Sequence, residues 1–290
     1  MNGWRFAVSK RWAGYLGLTI VFAVVCSLLG QWQFDRRAQA QAEIARIDAN
    51  YDSAPVAVQT ALPRLSSFAV SQRWLPVTLT GRYLPDKQQL VRNRPYNGRP
   101  GFEILTPLLL SSGTVFIVDR GWVSVGSRQD APDLVPEAPR GDVSVVARLK
   151  AGEPLLNGRR TVTGSGQIPT INLPQLESLV ELPSYTGAYG LLASESVTAS
   201  VHPAPSLRPI RDEGPHLSYA LQWYVFALLS FIGLGWALRQ EYRAVNAEDP
   251  EERERAEERA RRRAERSKRE PSDNDTEDAI LDRSEPELTR

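Results

Sequence analysis

The chain has 290 residues, 35 Lys and Arg against 34 Asp and Glu, a net charge of +1, and only one Cys, one Met and two His. That inventory excludes a disulfide framework, a CxxC redox pair, a tetrahedral zinc site, a multi-histidine metal site and a thiolate or thioether copper carrier, all of which need paired or soft ligands. No segment carries the one-sided basic excess that phosphate neutralisation requires, so nucleic acid is not expected as a partner.

Residues 1–11 hold Arg5, Lys10 and Arg11, and Trp12 to Phe34 then run 23 residues without a formal charge up to Asp35, Arg36 and Arg37. At about 1.5 Å per residue such a helix exceeds the roughly 30 Å of bilayer hydrocarbon, so 12–34 is expected to be a first transmembrane helix. The rival reading is a cleaved signal peptide ending at Ala38-Gln39-Ala40. A signal h-region is about 7 to 15 residues, however, and three charges separate this apolar run from the alanines. The short leader leaves no room for a mitochondrial transit peptide, which points to a bacterial cell membrane.

Ala38 to Ile47 reads as helix continuing from the membrane, and Tyr51 to Arg64 as loop. Strand patterns follow. Val77 and Leu79 alternate with polar neighbours, Gln88 to Asn93 is short, and Phe102 to Leu110 forms a hairpin with Thr114 to Val118 across Ser111-Ser112-Gly113. Asp142 to Lys150 alternates again, Pro174 to Glu181 is helical, and Tyr185 to Leu192 is a further strand. Residues 35–213 are thus expected to be a β-rich α+β domain.

Gly214 to Leu238 is a second uncharged run, 25 residues between Glu213 and Arg239, and reads as a second transmembrane helix. Two spans place both termini on one side. Long domains translocate largely regardless of charge, so the termini are expected in the cytoplasm and 35–213 outside it. Residues 239–270 pair Glu251 with Arg255, Glu257 with Arg261 and Glu258 with Arg262 at four-residue spacing, as an exposed helix does. The acidic, aromatic-free residues 271–290 are expected to be disordered. The fold class is therefore a membrane protein, two transmembrane α-helices flanking a β-rich α+β extracytoplasmic domain, with a charged helical and then disordered C-terminal tail.

Enzyme signatures are absent: there is no phosphate loop, no HExxH and no GxSxG, and Gly164-Ser165-Gly166 reads as a flexible turn. His202 has no evident nucleophile beside it, and Asp130, Asp133 and Glu137 sit among prolines as a solvated loop. The protein is not expected to be an enzyme. His216 stands out by position. Pro215 suits the first helical turn, which puts the imidazole near the positive end of the helix dipole, where added positive charge is disfavoured and a neutral, ligating imidazole is favoured. Tyr219, Ala220, Trp223, Ala227, Ser230 and Leu234 share its helical face, a surface suited to a flat apolar macrocycle. An interfacial histidine among ordinary aromatic belt residues is the plainer alternative. Gln31, Trp32, Arg36 and Arg37 end the first span at the same interface, where the arginines could pair with haem propionates or snorkel to headgroups.

Three stretches together resemble the surfeit locus protein 1 family, membrane proteins that assist biogenesis of haem-copper cytochrome oxidase. They are GQWQFDRR at 30–37, GRYLPDKQQLVRNRPYNGRPGFEILTPLL with VDRGWV from 81 to 123, and HLSYALQWYVFA at 216–227. The resemblance implies an assembly factor that holds haem a and assists its insertion into the oxidase core subunit. Its implied partners are that subunit, the haem a synthesis enzymes and membrane lipid, with no copper or zinc. His216 matches the family's histidine at the start of the second span, which implies an axial haem-iron ligand there; the helical face of His216 and the shared interface add Tyr219, Trp223, Trp32, Arg36 and Arg37 as expected cofactor contacts. Arg94, Gly98, Gly101, Arg120, Gly121 and Trp122 match the family's central motif. A scaffold that stabilises oxidase intermediates without contacting haem is the alternative.

Overall fold

A computed structural model describes residues 3–127, 131–156, 166–197 and 201–269. Asp130, the glycine-serine turn at 164–165 and the acidic tail at 271–290 lie outside them. The chain divides into two compact units, one made of Met1–Arg37 with Pro215–Arg290, the other of Ala38–Gly214.

The first unit holds two long helices, each long and apolar enough to cross a membrane. Helix α1 (Lys10–Asn50) belongs to this unit through Arg37 and to the second unit thereafter. Helix α4 (His216–Val245) runs antiparallel to it. Arg11 pairs with Glu241 at one end of the pair, and Gln33 meets His216 at the other. These two rungs are 22 and 25 residues apart along the helices, about 33 and 37 Å at the helical rise. Leu18, Leu28, Leu228 and Ile232 point outward and are exposed, as lipid-facing side chains are. The apolar stretch of α4 ends at Leu238 but the helix does not. It continues through Arg239 and Tyr242 to Val245.

The expected single tail helix is two elements. Asn246 caps α4, its side chain donating to the Tyr242 carbonyl, and a turn leads to α5 (Pro250–Arg269). Asp249 accepts from the Glu251 amide and Pro250 starts the helix, a combination that favours initiation there over continuation of α4. Of the spaced pairs, Glu251 and Arg255 meet at 3.4 Å. Glu252 is instead the most engaged carboxylate of this helix, 2.7 Å from Arg259 and 3.7 Å from Arg255.

In the second unit the strands are β1 (Val56–Ala57), β2 (Pro76–Tyr83), β3 (Gln89–Val91), β4 (Gly101–Leu110), β5 (Val115–Ser124), β6 (Asp142–Ala151), β7 (Gln167–Ile168) and β8 (Ala188–Glu195). Tyr51 to Arg64, expected as loop, contains β1 and the short helix α2 (Val58–Ala61). Strand order is β1-β2-β6-β8-β5-β4-β3-β7, and β2 also pairs with β4. That last pairing closes β2, β6, β8, β5 and β4 into a ring, a five-stranded barrel whose pairings are antiparallel except β5 with β8. Irregular registers at Glu103/Leu105 and Val146/Ala147 supply the local bending that closure demands.

The barrel interior is filled by Val77, Leu79, Leu108, Phe116, Val118, Val145, Ala147 and Leu149, with α2 and Tyr185 packed against the same cluster. β2 and β6 alternate buried with exposed, which is why their sequences alternate. β4 and β5 are buried on both faces and read as nearly continuous apolar runs. Their outer face packs against α3 (Leu173–Val180) and the end of α1 in a second core built on Ile47, Ile117, Leu176 and Tyr189.

Candidate functional site

His216 is the first residue of α4, directly after Pro215. Its Nδ1 lies 2.8 Å from Oε1 of Gln33. A carboxamide oxygen only accepts, so in the neutral ring this contact is met by the tautomer with its proton on Nδ1 and the lone pair on Nε2. One turn along, Ala220 is fully buried, so the two helices approach closely beside the ring. The approach is set from α1 by Gly30, where a Cβ would fall 2.7 Å from the Tyr224 ring. Phe34 lies 6.3 Å from that ring, so Gly30, Gln33 and Phe34 form the stripe of α1 that faces α4.

The other expected site residues are distributed about this node. Tyr219 is about half exposed, Trp223 is half-buried and packs edge-on to Phe226 at 5.9 Å, and Trp32 is exposed. Arg36 is exposed and Arg37 half-buried. Gln31 does not face His216; its amide donates to Asp35 at 3.2 Å. The partner that sequence reasoning missed is Gln33. The signal was Gly30, since a glycine at a helix contact marks the i+3 residue as facing the same neighbour.

A second concentration of polar groups lies on the outer face of the barrel. Arg94 reaches Glu153 at 2.5 Å and stands 3.1 Å from Glu103, the latter an ion pair without hydrogen-bond alignment. Glu153 also accepts from Thr170 and from the Ile171 amide. Burial alone would raise its pKa, but the hydrogen bonds from Arg94, Ile171 and Thr170 outweigh that and hold it at about 2. Asp119 is buried, its Oδ1 accepting from the Gly121 amide and its Oδ2 without a protein partner among the described residues. Burial, then the facing Glu103 carboxylate, pushes Asp119 well above the usual carboxylate range. Glu103 itself is raised by burial, against the pull of Arg94 and Lys150. The buried Tyr189 hydroxyl is pushed up by burial, then by Asp119 and Glu103. Among the described residues, no three His, Cys, Asp or Glu side chains converge as metal ligands.

Both regions fall within a match to the SURF1 family model, which covers residues 20–228. The chain belongs to the SURF1 family. SURF1-like proteins of Mycobacterium bovis and Mycobacterium tuberculosis are each 33% identical over 242 residues, 82% of this chain and 88% of theirs. A SURF1-like protein of Monosiga brevicollis is 25% identical over 238 residues, 77% of this chain and 87% of its own. Cytochrome oxidase assembly protein SHY1 of Saccharomyces cerevisiae is 28% identical over 121 residues, 41% of this chain and 30% of the yeast protein.

In this SURF1-family chain the central-motif residues hold one corner of the barrel together. Asn97 and Gly98 both have positive φ between the paired Tyr96 and Arg99, the conformation a tight hairpin turn requires. Trp122 donates from its indole to the Arg94 carbonyl at 2.8 Å and stacks on Tyr96 at 5.0 Å, with Gly101 flush against its ring. Gly121 has φ +127°, and a Cβ there would stand 2.4 Å from the Ala204 carbonyl, because the strap from β8 to α4 pairs with Trp122 at Ala204. Arg120 is buried, donates to the Pro136 and Glu137 carbonyls at 3.0 Å each, and lies over the Tyr83 ring. His202 borders a cleft of about 340 Å³ with Arg120 and Glu195. Asp133 caps its own loop by accepting from Ser127, and Glu137 is exposed beside Arg140.

Proposed function

We propose that this protein is an assembly factor for a haem-copper cytochrome c oxidase, which receives haem a at His216 and assists its insertion into the oxidase core subunit. Assembly of the oxidase is supported by family membership and by the similarity to SHY1, a cytochrome oxidase assembly protein. The haem step rests on one observation, the Gln33 oxygen on His216 Nδ1. Ligating histidines characteristically donate their second ring N–H to an acceptor, which fixes the tautomer and raises the basicity of the ligating nitrogen. Here Gln33 is that acceptor and Nε2 the ligand. Bound haem would supply a flat, iron-centred cargo; Tyr219 and Trp223 would cover its face, and Arg36, Arg37 and Trp32 would meet its propionate edge.

The two apolar helices are the membrane anchor. The proposed orientation keeps both termini in the cytoplasm of a bacterial cell and the barrel outside, with haem a synthesis enzymes as donors and the core subunit as acceptor. The test is the absorption spectrum of the full chain purified after co-production with haem a synthesis enzymes, compared with His216→Ala. A Soret band present in the wild type and lost in the variant supports ligation. A variant with the same spectrum and haem stoichiometry refutes it, and intact oxidase assembly in that variant would leave the scaffold reading instead.

A further inference from the structure

At the far end of α4 from His216, and outside the stretch that matches the family model, the first unit forms a basic recess. It has a volume of about 350 Å³ and is walled by Arg239 and Arg243 from α4 and by Arg255 and Arg259 from α5. Among the described residues Glu252 is the one carboxylate in the lining, and it is engaged by Arg259 and Arg255. Four guanidinium groups against Glu252 and the Glu251 partner of Arg255 leave a net charge of about +2 in a concave site. Its remaining wall is aromatic: Trp4 stacks on Tyr242 with ring centroids 4.5 Å apart.

Depth narrows the ligand. The uncharged run of α4 ends at Leu238, so Arg239 and Arg243 occupy the first turns beyond the hydrocarbon boundary, the level of lipid phosphates. Trp and Tyr at the same level are the side chains that prefer that boundary. α5 adds basic density beyond the recess, where Arg262 and Arg263 stand against Glu265. Clusters of this kind directly beside a membrane helix attract anionic headgroups. Guanidinium groups match phosphate oxygens two at a time, which gives the recess geometric preference as well as charge.

We propose that this recess binds the phosphate headgroup of an anionic phospholipid, held between Arg239, Arg243 and α5 with its acyl chains descending along α4. The inference rests on reading α1 and α4 as membrane spans. Arg239→Gln with Arg243→Gln removes two ligands and leaves the Glu252 pairings in place. Arg253→Gln with Arg261→Gln removes the same charge from exposed positions of α5 outside the recess. The experiment titrates the detergent-solubilised full chain with short-chain phosphatidylglycerol, phosphatidylcholine or inorganic phosphate and counts bound adducts by native mass spectrometry.

The expected result is binding of phosphatidylglycerol in preference to phosphatidylcholine. It weakens about fivefold per arginine removed from the recess, about 25-fold for the pair, with a much smaller change in the α5 control. Equal binding of the two lipids, or equal losses in both double variants, overturns the site. Inorganic phosphate binding as tightly as the lipid assigns the recess to a soluble anion and overturns the lipid. Alkaline carbonate extraction of membranes separates the two levels of failure. Release of the wild-type chain into the supernatant refutes the membrane reading itself, whereas a retained chain without lipid preference refutes only the recess.

Discussion

Replacing Glu153 by Gln isolates the polar clamp on the outer face of the barrel. The carboxylate accepts three hydrogen bonds, from Arg94, Thr170 and the Ile171 amide, and so ties the segment after β6 to the segment before α3. The drop of its pKa from 4.5 to about 2 corresponds to about 3 kcal/mol at 1.36 kcal/mol per unit. Its side chain is 26% exposed, and solvent screening reduces this to about 1–2 kcal/mol. For a unit of this size that is a fall in Tm of about 2–8 °C. The folded pKa lies below the unfolded one, so the stabilisation is complete above about pH 4.5 and is lost as pH falls towards 2. The gap between wild type and Glu153→Gln, read by thermal unfolding of the full chain in detergent at pH 7, 5 and 3, should therefore narrow with acid. A Tm within about 1 °C of wild type at pH 7, or a gap independent of pH, would refute the clamp.

Asp119→Asn tests the opposite sign. The folded pKa of Asp119 is raised, so the wild type loses stability as pH rises past the unfolded value, and Asn keeps the contact to the Gly121 amide without that cost. The variant should be more stable than the wild type at pH 8, by a smaller margin at pH 5, and should lose that advantage below about pH 4, measured by urea unfolding. Gly121→Ala forces a Cβ at φ +127° against the Ala204 carbonyl. It should cost about 1–3 kcal/mol and raise amide hydrogen exchange at Trp122 and Ala204. Gln33→Leu leaves His216 Nδ1 without its acceptor and should weaken haem binding about 10- to 100-fold in a spectral titration. Unaltered affinity would remove Gln33 from the proposed site.

How much of this was legible in the sequence follows from which signals are local. Alternation in β2 and β6 and the apolar runs of β4 and β5 report burial on one face or two, and both were readable. Barrel closure was not, because the closing contact joins Gly81–Tyr83 to Leu108–Leu110 and leaves no periodic trace. The position of His216 was readable from Pro215 and the uncharged run after it. Its partner depended on the rotational phase of α1, which decides among Gln31, Trp32 and Gln33 and which Gly30 alone encodes. The break before α5 had a local signature in Asp249-Pro250, overshadowed by the regular spacing of Glu and Arg that follows it. Asp119, Glu103 and Glu153 look like surface acids in sequence; only the fold brings them together around Arg94.

Closure of the barrel also imposes an order on the protein's synthesis. Among the described residues β8 is the last strand, and it neighbours both β5 and β6, so the ring cannot form until Ala188–Glu195 has emerged. Twenty residues separate Glu195 from His216, where the second apolar helix begins. If the barrel is exported as proposed, its strands must therefore wait as an open, edge-exposed sheet through nearly the whole translocation. They become a closed body only as the second anchor enters the membrane. Such non-local pairing is intrinsically slow, which makes this interval the step at which the nascent chain is most exposed to misassembly and proteolysis.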